Sequence, residues 1–183
     1  MARTWISKVN DAAIEPVPER PSANPTLKAA VADLLREAAD RFILPRFQNL
    51  QSQDIATKTS DTDFVTIADQ QAEAWLAPKL SVLQPGFVIG EEAASLTPAI
   101  RDHIPVGYGW TIDPLDGTKN FVEGKPAFCS MVALLWNGQP VQSWIWQPLT
   151  KRCFTLPTGT ARFALIKTVH PAFVLKTVQM MLI

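Results

Sequence analysis

Asn137-Gly138 stands between two apolar runs, Ser130 to Trp136 and Val141 to Trp146. Both turn residues accept positive φ, which a type I′ turn requires, and the flanks are rich in β-branched and aromatic side chains. The spacing predicts a two-stranded antiparallel ribbon. A lone ribbon is marginal in water, so the rest of the chain must extend or cover it. Its tryptophans read as sheet packing, because no basic residues are interleaved with them as a base-stacking platform requires.

Two amphipathic helices are expected upstream. Leu27, Ala30, Val31, Leu34, Leu35, Ala38 and Phe42 recur at spacings of three and four, with Thr26 as a candidate N-cap and Pro45 as a stop. Thr66-x-x-Asp69 has the form of a capping box ahead of Ala68, Ala72, Trp75 and Leu76, in a helix ending near Pro78. Capping alone can account for Asp69. Between Pro85-Gly86 and Gly90, the short run Phe87-Val88-Ile89 reads as a buried strand that delivers Glu91 and Glu92 at its end. The two glutamates point in different directions: either both are solvated, or one faces a site.

The chemistry-bearing stretch is Trp110-Thr111-Ile112-Asp113-Pro114-Leu115-Asp116-Gly117-Thr118-Lys119-Asn120-Phe121. Trp110 to Ile112 reads as the end of a buried strand, Pro114 fixes φ just beyond it, and Gly117-Thr118 can open a short helix. Two readings follow. Asp113, Asp116 and the Leu115 carbonyl form an oxygen set suited to a hard divalent cation, and the amides of Gly117, Thr118 and Lys119 suit a phosphate. Alternatively, Asp116 is the helix N-cap and Asp113 is solvated.

Composition narrows the class. With 183 residues, 47% of them hydrophobic, the chain can hold one good-sized core or a core and part of another. The balance of 17 basic and 17 acidic residues argues against nucleic acid or an acidic membrane surface as the main partner. Cys129 and Cys153 are not in C-x-x-C spacing, which suits a reduced, cytoplasmic protein. Residues 1–25, with Pro16, Pro18, Pro21 and Pro25 and no apolar core, read as a mobile arm rather than a signal peptide. The apolar tail is broken by Arg162, Lys167, His170, Pro171 and Lys176, short of the roughly 20 apolar residues of a membrane span.

The ordered pieces Lys58 with Asp63-Phe64-Val65-Thr66-x-x-Asp69, then Gly90-Glu91-Glu92, then Trp110-x-x-Asp113-Pro114-Leu115-Asp116-Gly117-Thr118-x-Asn120-Phe121 resemble the inositol monophosphatase family of magnesium-dependent, lithium-sensitive phosphatases. The resemblance covers roughly residues 27 to 153. It implies an α/β fold: the N-terminal portion of the family's αβαβα sandwich, helices against a mainly antiparallel sheet. It further implies a multi-metal site in which Glu91, Asp113 and the Leu115 carbonyl hold a first Mg²⁺ and Asp113 and Asp116 reach toward a second. Asp116 and the Gly117 and Thr118 amides would hold the substrate's phosphate, while Thr118 and Asp69, with Glu91, would position the attacking water. The implied substrate is a small phosphorylated polyol such as an inositol monophosphate. Histidinol-phosphate phosphatase, 3′(2′),5′-bisphosphate nucleotidase and fructose-1,6-bisphosphatase-like activities share these motifs, and the family often forms homodimers.

The chain departs from the family in its last third. Residues 1–123 carry 11 basic and 17 acidic side chains, whereas residues 124–183 carry six basic and no acidic ones. The family's later Trp-Asp motif, whose aspartate completes the second metal site, therefore has no counterpart here. The expected organisation is an arm over 1–25, a family-like domain over 26–155, and a divergent tail over 156–183 of the kind a shifted reading frame produces. Impaired catalysis follows from this, as does the rival expectation of a noncatalytic product or interaction module. Loss of the second layer is also expected to expose a sheet face carrying Trp144 or Trp146.

Overall fold

The computed structural model describes residues 25–57, 64–96 and 106–157. Helix α1 (Pro25–Ala38) begins on Pro25, where φ is already set for a first helical turn, so Thr26 lies inside the helix rather than capping it. Leu27, Val31, Leu35 and Ala38 are its buried stripe. A π-helical turn (Ala39–Ile43) and a 3₁₀ turn (Leu44–Arg46) follow, and Pro45 sits within the latter. Strands β1 (Ile55–Thr57) and β2 (Phe64–Thr66) pair antiparallel. The sequence readings at Lys58 and Asp63, like the N-terminal arm and nearly all of the tail, lie outside the described residues.

Helix α2 (Ile67–Leu83) runs five residues past the expected stop at Pro78. The carbonyl deprived of its donor belongs to Ala74, and both Ala74 and Pro78 are exposed, so solvent can satisfy it. Meanwhile Ala68, Ala72, Leu76 and Leu80 form a fully buried stripe that holds the helix on course, and the Gln84 N–H closes it on the Leu80 carbonyl at 3.0 Å. Packing thus outweighs the local cost of one missing hydrogen bond.

Five strands form the main sheet, in the order β3 (Phe87–Gly90), β4 (Tyr108–Asp116), β5 (Cys129–Trp136), β6 (Gln139–Gln147) and β7 (Arg152–Pro157). The β3/β4 pair is parallel and the other pairs are antiparallel. The predicted hairpin is β5–β6, with φ of 50° at Asn137 and 75° at Gly138. Short helices α3 (Glu91–Leu96) and α4 (Thr118–Val122) leave the ends of β3 and β4.

Helices α1 and α2 cover one face of the sheet. Trp110 and Trp144, both completely buried, pack at 5.9 Å between ring centroids. Their indole N–H groups reach outward to the helices: Trp144 donates to the Lys28 carbonyl at 3.0 Å and Trp110 to the Gln84 carbonyl at 2.9 Å. The expectation that Trp144 or Trp146 lies exposed is therefore wrong, since they are 0% and 7% exposed. The alternation along β6 puts both on the helix-covered face. Cys129, Met131 and Ile145, on the opposite face, form a smaller buried cluster with Phe154 packed against it.

Candidate functional site

Strand β4 does not end at Ile112, as its sequence suggested. It continues through Pro114 to Asp116 with an irregularity: Asp113 pairs with Met131 and Asp116 with Cys129. Three steps along β4 thus match two along β5, the signature of a bulge. An odd spacing would ordinarily send the two aspartates to opposite faces. The extra residue cancels that, and Asp113 and Asp116 end on the side shared by Met131 and Cys129. Leu115 is driven into the main core, fully buried.

The parallel β3/β4 register supplies the next residue. Gly90 pairs with Ile112, so the following position, Glu91, stands level with Asp113. Their carboxyl groups are hydrogen-bonded. Burial first, then the charges of Glu91 and Asp116, the Glu91 hydrogen bond and the charge of Asp69 raise the Asp113 carboxyl well above its ordinary range. Asp113 is 7% exposed, and its Oδ1 finds no hydrogen-bond partner among the described residues. Two carboxyl groups in such contact need a shared proton or a cation between them.

Asp69 arrives from α2. Its Oδ2 accepts from the Thr66 N–H at 2.8 Å, while the Ala68 N–H donates to Thr66 Oγ1 at 3.2 Å, so the predicted capping box is present. Capping uses only one carboxylate oxygen. The other, Oδ1, accepts from the Thr118 hydroxyl at 3.1 Å, and that hydroxyl also lies 2.9 Å from the Leu115 carbonyl. Burial raises the Asp69 pKa from 3.8 to about 6, against the lowering effect of its bonds to Thr66 and Thr118. Both readings of Asp69 thus describe one residue, a cap that also faces the loop.

Gly117, not Asp116, occupies the N-cap position of α4, in the left-handed region at φ 89° and ψ 30°. Asp116 remains a strand residue, 8% exposed, with the Cys129 thiol 4.0 Å from its Oδ2. Cys129 is itself raised well above the usual thiol value by burial and by the charges of Asp116 and Asp113.

The structure therefore brings Glu91 to Asp113, and Asp69 to Thr118 and Leu115. As the side chains stand, no three His, Cys, Asp or Glu groups among the described residues are gathered closely enough to hold a metal ion. Their chemistry nonetheless fits a hard divalent cation: buried carboxylates, one unpaired buried oxygen and a backbone carbonyl, with mutual repulsion that a cation would relieve.

Sequence reasoning missed Glu73. Buried on α2 one turn after Asp69, it accepts from the Glu92 and Ala93 amides of α3 at 2.9 and 3.1 Å. Its four-residue offset from Asp69, beside the Ala68-Ala72-Leu76 stripe, was the available signal.

Among proteins of known function, the chain is 37% identical over 124 residues to the chloroplastic bifunctional phosphatase IMPL2 of Arabidopsis thaliana, covering 67% of this chain and 34% of that protein. It is 35% identical over 138 residues to the histidinol-phosphatase of Mycobacterium tuberculosis, covering 75% and 50%. Of solved structures, the extragenic suppressor protein SuhB of Bartonella henselae aligns with a TM-score of 0.58 and 27% identity over 73% of this chain and 50% of that one. A staphylococcal inositol monophosphatase-1 aligns with a TM-score of 0.62 over 77% and 51%, at 22% identity, a likeness of fold. The chain spans about a third to a half of the length of the curated relatives it matches. Residues 23–168, and with them the bulged β4 strand, Glu91 and the Asp69 cap, match the inositol monophosphatase family, and the chain belongs to it.

Proposed function

We propose that Glu91, Asp113, Asp116 and the Leu115 carbonyl form a Mg²⁺-binding centre for hydrolysis of a small phosphate monoester, an inositol monophosphate in the leading reading. The supporting observation is Asp113: a buried carboxyl in contact with Glu91, with one oxygen unpaired among the described residues. A protein does not bury such a group without a compensating charge or proton. A divalent cation held there would supply charge neutralisation at the phosphoryl oxygens and acidify a water.

The chain's own residues do the rest. The Gly117 and Thr118 amides, at the left-handed turn that opens α4, offer donors to the phosphate oxygens. Asp116 borders the same cradle. Thr118 Oγ1, bonded to Asp69 Oδ1, orients the attacking water and can accept its proton while passing its own to Asp69. An Asp69 pKa of about 6 suits that exchange near neutral pH.

Histidinol phosphate is the second reading, favoured by the 35% identity to a histidinol-phosphatase. The test is phosphate release from inositol 1-phosphate and from histidinol phosphate, with Mg²⁺ and with chelator. Mg²⁺-dependent release that vanishes in Glu91→Gln and Asp113→Asn supports the mechanism. Release that survives either substitution contradicts it.

A further inference from the structure

Glu73 is 9% exposed and takes no part in the chemistry proposed above. Its Oε2 accepts from the Glu92 N–H at 2.9 Å and its Oε1 from the Ala93 N–H at 3.1 Å. Each oxygen engages one of two successive amides, which fixes the entry of α3 against α2. The approach is close: a Cβ at Gly90 would lie 2.1 Å from Glu73 Cδ, 2.2 Å from Oε1 and 2.4 Å from Oε2. A residue without a side chain is needed there for the carboxylate to lie across the junction of strand and helix.

Glu91 stands between these two anchors. On one side Gly90 is tied by strand pairing to Ile112; on the other, the Glu92 amide is tied to Glu73. Its backbone is thus held before and after, level with Asp113. Helix α2 carries Asp69 and Glu73 four residues apart, so one rigid element sets both Thr118 and Glu91.

We infer that Glu73 is a positioning residue: through the first amides of α3 it sets where the Glu91 carboxylate stands relative to Asp113, and thereby the divalent-cation affinity of the centre. This rests on the reading of Glu91 and Asp113 as ligands. Partners that orient ligands without touching the metal typically change affinity by roughly 10- to 100-fold when removed. A merely structural Glu73 would affect stability and leave the cation midpoint where it was.

The experiment is thermal unfolding of the full 183-residue chain as a function of MgCl₂, taking as the Mg²⁺ midpoint the apparent Kd fitted to the logarithmic rise of stability with Mg²⁺ concentration. Glu73→Gln keeps the shape but turns an NH₂ group toward an amide N–H. Gly90→Ala keeps the charge but displaces the carboxylate. Both should raise the Mg²⁺ midpoint roughly tenfold, and the double variant should add little, because both changes break one hold. The exposed Gln70→Ala on the same helix should leave the midpoint unchanged.

Unchanged midpoints in both variants would overturn the inference, even where the melting temperature falls. A shift in Glu73→Gln alone would overturn it too, since charge rather than position would then be responsible. Asp113→Asn, measured in parallel, separates the two levels. If it abolishes the Mg²⁺ response while Glu73→Gln and Gly90→Ala retain the wild-type midpoint, positioning fails alone. A wild-type chain with no Mg²⁺ response overturns the ligand reading and this inference together.

Discussion

Glu91 and Asp113, 22 positions apart in sequence, stand level, Glu91 just past the end of β3 and Asp113 within the neighbouring parallel strand β4, with their carboxyl groups hydrogen-bonded. That pairing costs stability in the absence of a cation, because both groups disfavour a second nearby negative charge. Asp113→Asn should therefore be no less stable than the wild-type chain at pH 7 in chelator, measured by urea unfolding, while losing any stabilisation by Mg²⁺. A loss of several kcal/mol in chelator would mean that Asp113 is a structural group.

Without divalent cation, stability should fall as pH rises from about 4 to about 7. The folded-state pKa of Asp69 is raised from 3.8 to about 6 by burial, so the folded chain holds this proton more tightly than the unfolded one. The resulting stabilisation is complete below about pH 4 and lost as pH passes 6, roughly 3 kcal/mol in all for a shift of about two units. Asp113, raised in the same direction, adds to it. Urea midpoints of wild type and Asp69→Asn across this range check the claim: the slope should flatten in the variant.

Trp144→Ala should cost about 3–5 kcal/mol, the usual range for emptying a large buried aromatic site. It would remove the packing on Trp110 and the bond to the Lys28 carbonyl that fastens α1 to the sheet. Near-UV circular dichroism with urea unfolding reports both losses. A change within a few tenths of a kcal/mol would place Trp144 on an exposed face.

Gly117→Ala should destabilise the chain by roughly 1–2 kcal/mol, the cost of a left-handed conformation at a residue with a Cβ. If the Gly117 and Thr118 amides hold phosphate, the same variant should weaken inorganic phosphate binding measured calorimetrically in Mg²⁺.

Much of this was legible in the sequence because short-range rules governed it. Asn137-Gly138 demanded its turn, Thr66 and Asp69 their cap, and the apolar stripes of α1 and α2 their helices. The errors arose where tertiary packing overrode a local signal. Pro78 did not stop α2 because the buried Leu80 lay beyond it and the orphaned carbonyl faced solvent. Pro114 did not end β4 because a bulge absorbed it. The same bulge decided which side Asp116 faces, which no residue pattern discloses. Glu73 was overlooked for a related reason: its partners are backbone amides on a different helix.

Binding of Mn²⁺, followed by electron paramagnetic resonance on the full chain, tests the cation centre most directly. A half-buried Glu91 paired with the buried Asp113 as a ligand set predicts saturable binding, displaced by Mg²⁺ and lost in Asp113→Asn. Absence of binding, or binding unchanged in that variant, would contradict it.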